Sequence, residues 1–235
     1  MLGNPQRTYL WVTVILEIVS KRPDLIAEEL PQILKKIPPT IADACEAILS
    51  KTEDRERTEK ILHIIIAAIR PLTLKELNVA LAVKNNRAAL GDLALLPEHR
   101  FRMALHNYCG LFVTIIGPNV SLIHQIAKEF LASRDTSQLA CDAKSDCRTW
   151  GKTLELAKSH LILAEVCLSY LLFTGWEKDN LLIDNRERSG EQRVRWYAEY
   201  DFLECAAKSW ATHIKQSGAN ENAAIMNLVL EVCHP

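Results

Sequence analysis

Apolar residues recur three and four positions apart in segment after segment of this chain, and this spacing predicts a mainly α-helical protein. The predicted helices cover about 8–20, 25–36, 40–49, 58–69, 98–108, 124–131, 150–173, 194–215 and 221–233, with a further helix opening at 73. Most breaks between them carry proline, which cannot continue a helix. Residues 85–97 and 176–192 are predicted loops.

A short β-like signal interrupts the helices. Residues 111–116 and 120–123 are rich in β-branched side chains and flank a Gly-Pro-Asn turn at 117–119, which predicts a β-hairpin. Three helices, a hairpin and another helix follow one another in the order of a winged helix, over residues 58–133.

Local signals mark two helix ends. Thr73 and Glu76 have the spacing of an N-terminal capping box, with Leu72 and Leu77 placed as its hydrophobic staple. Gly110 is the expected C-terminal stop of the helix before the hairpin.

Composition shifts suggest three parts. The polar stretch after residue 134 separates the winged helix from the helices that follow it. We predict a helical subdomain at 1–52, a winged-helix domain at 53–135 and an α-helical region at 148–235. The last region is compatible with the start of a helical repeat array.

Charge and hydropathy exclude some classes of partner. The net charge is −1, so the basic footprint expected of a protein that binds nucleic acid or an acidic membrane is missing. The apolar run at 9–19 is too short to span a bilayer and contains Glu17. It also lacks the basic start and cleavage site of a signal peptide.

Cysteine usage predicts a cytoplasmic protein. The seven cysteines are odd in number and form no C-x-x-C motif, so we expect free thiols in a reducing compartment. Cys141 and Cys147 share a polar loop, but their spacing does not favour zinc.

His124 is the candidate binding residue. We place it in the first turn of the helix after the hairpin, with Ser121 as the N-cap. A helix N-terminus attracts anions, and a histidine there could donate to a phosphate. The alternative, which residue chemistry alone favours, is a histidine that caps or packs locally.

Catalytic motifs are missing. The chain contains no P-loop, no G-x-S-x-G, no H-E-x-x-H and no G-x-G-x-x-G. We therefore predict that it is not an enzyme and holds no cofactor or metal by itself; a hydrolase is the weakest reading.

Six segments occur in the order of a known family. They are T-Y-L-W-V at 8–12, L-P through I-P-P-T-I to I-L at 30–49, R-P-L-T-L-K-E-L at 70–77, C-G-L with V-S-L-I-H-Q-I-A-K-E-F-L at 109–131, S-H with C-L-S-Y-L at 159–171, and F-L with A-A, W and H at 202–213. Together they resemble the region just downstream of the nucleotide-binding core in fungal NACHT proteins, which belong to the STAND class of signal-transduction NTPases. Cys45 and Cys205 stand where the family usually has tyrosine, and Ile126 replaces its threonine or serine.

The resemblance also covers the winged helix named after GPI inositol-deacylases, without the hydrolase motif. Its signature residues in this chain are Arg70, Pro71, Leu72, Thr73, Glu76, Leu77, Cys109, Gly110, Phe130 and Trp210.

The resemblance implies a regulatory arm without its NTPase core, as in a fragment of an innate-immunity-like protein that continues into ankyrin-type repeats. In STAND proteins a winged-helix histidine contacts the β-phosphate of ADP and holds the inactive state, and His124 stands at the matching position. ATP or ADP would bind only if a NACHT core is present in cis or in trans. Other partners would be proteins that contact the helical region.

Two alternatives remain. One is a helical scaffold for protein interactions with no nucleotide role. The other is a DNA-binding winged helix that uses Arg100, Arg102 and His106, although Glu98 and the near-neutral charge argue against it.

Overall fold

A computed structural model describes residues 41–84, 93–133, 150–173, 200–219 and 222–233, and these are mainly helical. The elements, numbered in chain order, are α1 Ile41–Leu49, α2 Arg55–Ala67, β1 Leu72–Thr73, α3 Leu74–Ala82, α4 Glu98–Cys109, β2 Val113–Ile116, β3 Asn119–Leu122, α5 Gln125–Leu131, β4 Ala132–Ser133, β5 Leu154–Glu155, α6 Leu156–Leu171, α7 Leu203–Ser217 and α8 Ala223–Cys233. A 3₁₀ turn at Gly110–Phe112 joins α4 to β2. The predicted helices at 8–20 and 25–36, the predicted loop at 176–192, and Cys141 and Cys147 lie outside the described residues.

The strands form a winged helix with α2 to α5. The sheet is antiparallel in the order β1-β3-β2, and the predicted hairpin is confirmed by the pairing of Ile116 with Asn119 across its turn. β1 was not predicted, because two residues after Pro71 carry no readable alternation. It exists because Leu72 pairs with Val120 of β3. The fold class, a winged helix followed by helices, is confirmed.

α2 is the central helix of the core. Ile61, Leu62 and Ile64 are fully buried, and α2 packs on α3, α4 and α6. Each such side chain contributes roughly 1.5–3 kcal/mol of hydrophobic stabilisation. The same core continues through Trp150 into α6 and α7, where Phe202 is also fully buried.

The ends of the helices follow their caps. The Asp54 carboxylate accepts the Arg57 N–H, so α2 begins one turn before the predicted residue 58. The predicted capping box is confirmed, with the Thr73 hydroxyl accepting from the Glu76 N–H and the Glu76 carboxylate accepting from the Thr73 N–H. Gly110 caps α4 with a positive φ of 55°, as expected of a C-terminal glycine.

The prediction that a helix starts at 150 is wrong, because α6 begins at Leu156. The residues before it instead dock onto α1 and α2. The Trp150 N–H donates to both carboxylate oxygens of Glu46, at 3.0 and 2.7 Å, and the Arg55 guanidinium lies 4.2 Å from the centre of the indole ring. Of the predicted helix at 194–215, the described part begins at Leu203.

A parallel strand pair fixes this junction. Ala132 pairs with Leu154, and the Lys152 ammonium donates to the Glu129 and Ala132 carbonyls at 2.8 and 3.2 Å. Lys152 is the described non-glycine residue with a left-handed φ, 59°. The winged helix and the following helices therefore share a hydrophobic core and are joined by the β4–β5 pair and the Lys152 hydrogen bonds.

Among the described helices, none combines the length and apolar character needed to cross a lipid bilayer.

Candidate functional site

A groove of about 370 Å³ opens between the end of α2, the β1–β3 edge and the start of α5. It is lined by Ile65, Ala68, Ile69, Arg70, Pro71, Leu72, Val120, Ser121, Leu122, His124, Gln125 and Lys128. Its polar lining is cationic or neutral, and no carboxylate is among these lining residues. The groove therefore suits an anionic ligand with an apolar part.

His124 lies in the wall of this groove as the N-cap of α5. Its Nδ1 accepts a hydrogen bond from the Ile126 N–H at 3.2 Å, and its own backbone is extended. The prediction that Ser121 is the N-cap is wrong. Ser121 lies in β3, which runs on until Leu122 pairs with Val113, so the helix cannot start before His124.

The cap assigns a role to each ring nitrogen of His124. Because Nδ1 accepts, it carries no proton, and the proton of the neutral ring is on Nε2. Nε2–H is thus the donor that remains for a ligand. The cap also occupies the Ile126 amide, while the Ala127 N–H bonds to the His124 carbonyl. These two amides are therefore not available to the anion site expected at the helix N-terminus.

Arg70 lines the groove, but its charge is compensated. Its guanidinium donates to both Glu76 oxygens, at 2.9 and 2.5 Å, and to the Pro71 carbonyl. The Glu76 side chain is 5% exposed, and the hydrogen bond from Arg70 raises the pKa of the guanidinium further. The signature R-P-L-T-L-K-E-L is therefore explained by an ion pair between the exposed Arg70 and the buried Glu76, joined to a capping box.

The other signature residues are structural. Leu72 and Leu77 lie in the core. Cys109 is also buried, and desolvation raises the pKa of its thiol to about 12, which leaves it unreactive. A Cβ at Gly110 would lie 3.2 Å from Ile48 Cγ2, so Ile48 would have to shift to accommodate it.

Aromatic signature residues pack around the joint. Phe130 lies beside Phe112 at a ring separation of 6.4 Å and covers Gly151. Trp210 is half-buried and touches both the main core and the smaller cluster between α6, α7 and α8.

Lys128 is the groove residue that the sequence interpretation missed. It lies one helical turn after His124 and is half-buried. The signal was available, because residues four apart share a helix face.

Three buried histidines lie outside the groove. His63 Nδ1 is 2.8 Å from the Ser159 hydroxyl, and His160 Nδ1 is 3.0 Å from His213 Nδ1. Burial, followed by the charge of Lys158, lowers the pKa of His63 to about 4. Burial also lowers the pKa of His160, and burial with the neighbouring His160 lowers that of His213 to about 4.

The helix α4, which takes the recognition-helix position, exposes Arg100, Arg102 and His106. Arg102 lies 3.7 Å from the Glu98 carboxylate, and the same surface exposes 65% of Met103. The hairpin that would contact DNA as the wing, residues 113–122, has no lysine or arginine.

No group of three or more histidine, cysteine or acidic side chains within the described ranges is placed to hold a metal ion.

In a comparison with family models, residues 45–142 match the winged helix domain of GPI inositol-deacylase. A winged helix domain of this type is therefore present in the chain, and it includes the groove and His124. No curated protein and no solved structure matches the chain.

Proposed function

We propose that this chain is a non-catalytic regulatory arm of a cytoplasmic NACHT-type signalling NTPase of the fungal kind, in which the winged helix gates the nucleotide state of a core supplied in cis or in trans. The observation that carries the proposal is the groove with His124 in its wall, inside a winged helix domain of the GPI inositol-deacylase type. The arm holds no nucleotide by itself, and ADP is shared with the core.

His124 would donate a hydrogen bond from Nε2–H to a phosphate oxygen of the nucleotide. The cap fixes the ring, so its remaining donor is held in one direction, and a preorganised donor loses little entropy on binding. A donor to a charged phosphate oxygen is worth roughly 1.5–3 kcal/mol. If only the closed arrangement brings the phosphate to His124, ADP shifts the population towards that arrangement.

The test is nucleotide-dependent binding of the full chain to a purified NACHT core of a related protein. We expect binding to the ADP-loaded core to be tighter than to the core with an ATP analogue, and His124→Ala to reduce that preference roughly tenfold. His106→Ala, an exposed histidine on α4, is the matched control. Equal binding in both nucleotide states would refute the gating role.

A scaffold without a nucleotide role is the second candidate. It is favoured by a small apolar pocket of about 170 Å³ between α3 and α4, beside the exposed Leu95 and Leu96. Core binding that ignores both nucleotide and His124 would favour this reading. A DNA-binding role would instead require salt-sensitive binding to duplex DNA that is weakened by Arg100→Gln.

A further inference from the structure

Lys128 has no partner among the described residues, although it lies in a wall of the groove. Its side chain is half-buried and makes no hydrogen bond or ion pair with the part of the chain that the structure describes. An unpaired ammonium in the wall of a groove can bind an anionic ligand, which then supplies the compensating charge.

Among the charged side chains that line the groove, Lys128 is the one whose charge is not compensated by a described residue. Arg70 is neutralised by the bidentate contact with Glu76. His124 Nδ1 is used by the Ile126 N–H, which leaves Nε2–H as the donor of this side chain. Since none of the lining residues is acidic, the uncompensated positive charge among them is that of Lys128.

We propose that the two side chains divide the recognition of a diphosphate: His124 orients it through Nε2–H, and Lys128 supplies the charge that holds it. This inference rests on the proposed function, and it names Lys128 as the main electrostatic ligand of that site. A diphosphate carries charge on two phosphoryl groups and spans a longer distance than a carboxylate, so it can reach two donors one helical turn apart.

A structural role for Lys128 makes a different prediction. Lys128 lies in the last turn of α5, where a cation also stabilises the helix dipole. That role would change stability but leave ligand affinity and its salt dependence unchanged. Lys215 lies in the last turn of α7 and is exposed, so Lys215→Gln is a control of equal charge change.

The test is titration of the full chain with inorganic pyrophosphate by NMR or calorimetry, at several salt concentrations. We expect weak binding that Lys128→Gln reduces roughly tenfold and makes nearly independent of salt. Lys128→Arg should retain the affinity, because it keeps the charge. His124→Gln should weaken binding and leave the salt dependence unchanged.

Several outcomes would overturn the inference. They are a Lys128→Gln affinity equal to that of Lys215→Gln, absence of pyrophosphate binding by the wild-type chain, or Lys128-dependent binding to phosphatidylserine vesicles without binding to pyrophosphate. The first leaves the gating proposal standing on His124. Conversely, pyrophosphate binding through Lys128 combined with nucleotide-independent binding to the NACHT core would reject gating and retain the anion site.

Discussion

At the scale of single residues, position within the fold decides what each polar side chain does. His124, His160 and His213 all lie on helices or at their ends, yet one caps a helix beside a groove and the other two face each other in the core. The residues next to each histidine in the sequence do not distinguish the capping histidine from the two buried ones. The difference arises because α6 and α7 pack together and enclose the pair.

The buried histidines predict a loss of stability in mild acid. In an unfolded chain histidine has a pKa of about 6.5. The native pKa of His213 is lowered to about 4, and that of His160 is lowered too. The unfolded state therefore binds more protons below pH 6.5, so stability is fully present above that pH and is lost as pH falls towards 4. From pH 7.5 to pH 5 we expect a loss of about 2 kcal/mol for His213.

Urea unfolding at pH 7.5, 6 and 5 measures this loss. His213→Gln should make the decline with pH shallower, whatever its effect on stability at pH 7.5, since glutamine does not titrate. The exposed His106→Gln serves as the control and should follow the wild type. A His213→Gln variant with the wild-type slope would contradict the assignment.

At the scale of elements, local chemistry sets helix ends well when the cap lies within the chain segment itself. The Thr73–Glu76 capping box and the Gly110 stop could be read from the sequence and are confirmed. The N-cap of α5 was wrongly predicted at Ser121, because β3 stays paired with β2 through Ser121 and Leu122. The observed start of α6 is later than predicted for a similar reason, since Trp150 contacts Glu46 of α1 through its backbone N–H.

Two glycines with positive φ separate backbone strain from steric contact. Gly110 and Gly117 have φ of 55° and 60°, but only at Gly110 would a Cβ approach another side chain, Ile48. We expect Gly117→Ala to lower the free energy of unfolding by about 1 kcal/mol, because of its left-handed backbone. Gly110→Ala should lower it by about 1–3 kcal/mol more, because its added Cβ also contacts Ile48. Denaturant midpoints of the two variants measure the difference. Equal costs would show that Ile48 yields without strain.

At the scale of the whole molecule, the winged helix and the helices after it are stabilised together. Most of their buried residues form one cluster, with a smaller one between α6, α7 and α8. Trp150, Lys152 and the β4–β5 pair join the two parts. The predicted division at 135 and 148 remains a prediction about chain organisation.

Trp150→Ala should therefore destabilise both parts at once. Removing a fully buried tryptophan costs roughly 3–5 kcal/mol. Hydrogen exchange should show that amides of α2 and of α6 lose protection together, because they share the core that the indole fills. Trp150→Phe, which keeps an aromatic ring under Arg55, should lose less. Exchange that increases in α6 alone would indicate two independent units.

The sequence by itself determined the helical class, the order of elements in the winged helix, the hairpin and the capping box. These follow from periodicity and from residues a few positions apart, which act before the chain is folded. Only the tertiary structure decided that His124 caps α5 and that Glu76 neutralises Arg70. It also decided that Lys128 lines the groove without a partner among the described residues, and that Trp150 belongs to the core. Each of these depends on side chains or strands brought together by packing, and sequence spacing does not specify such contacts.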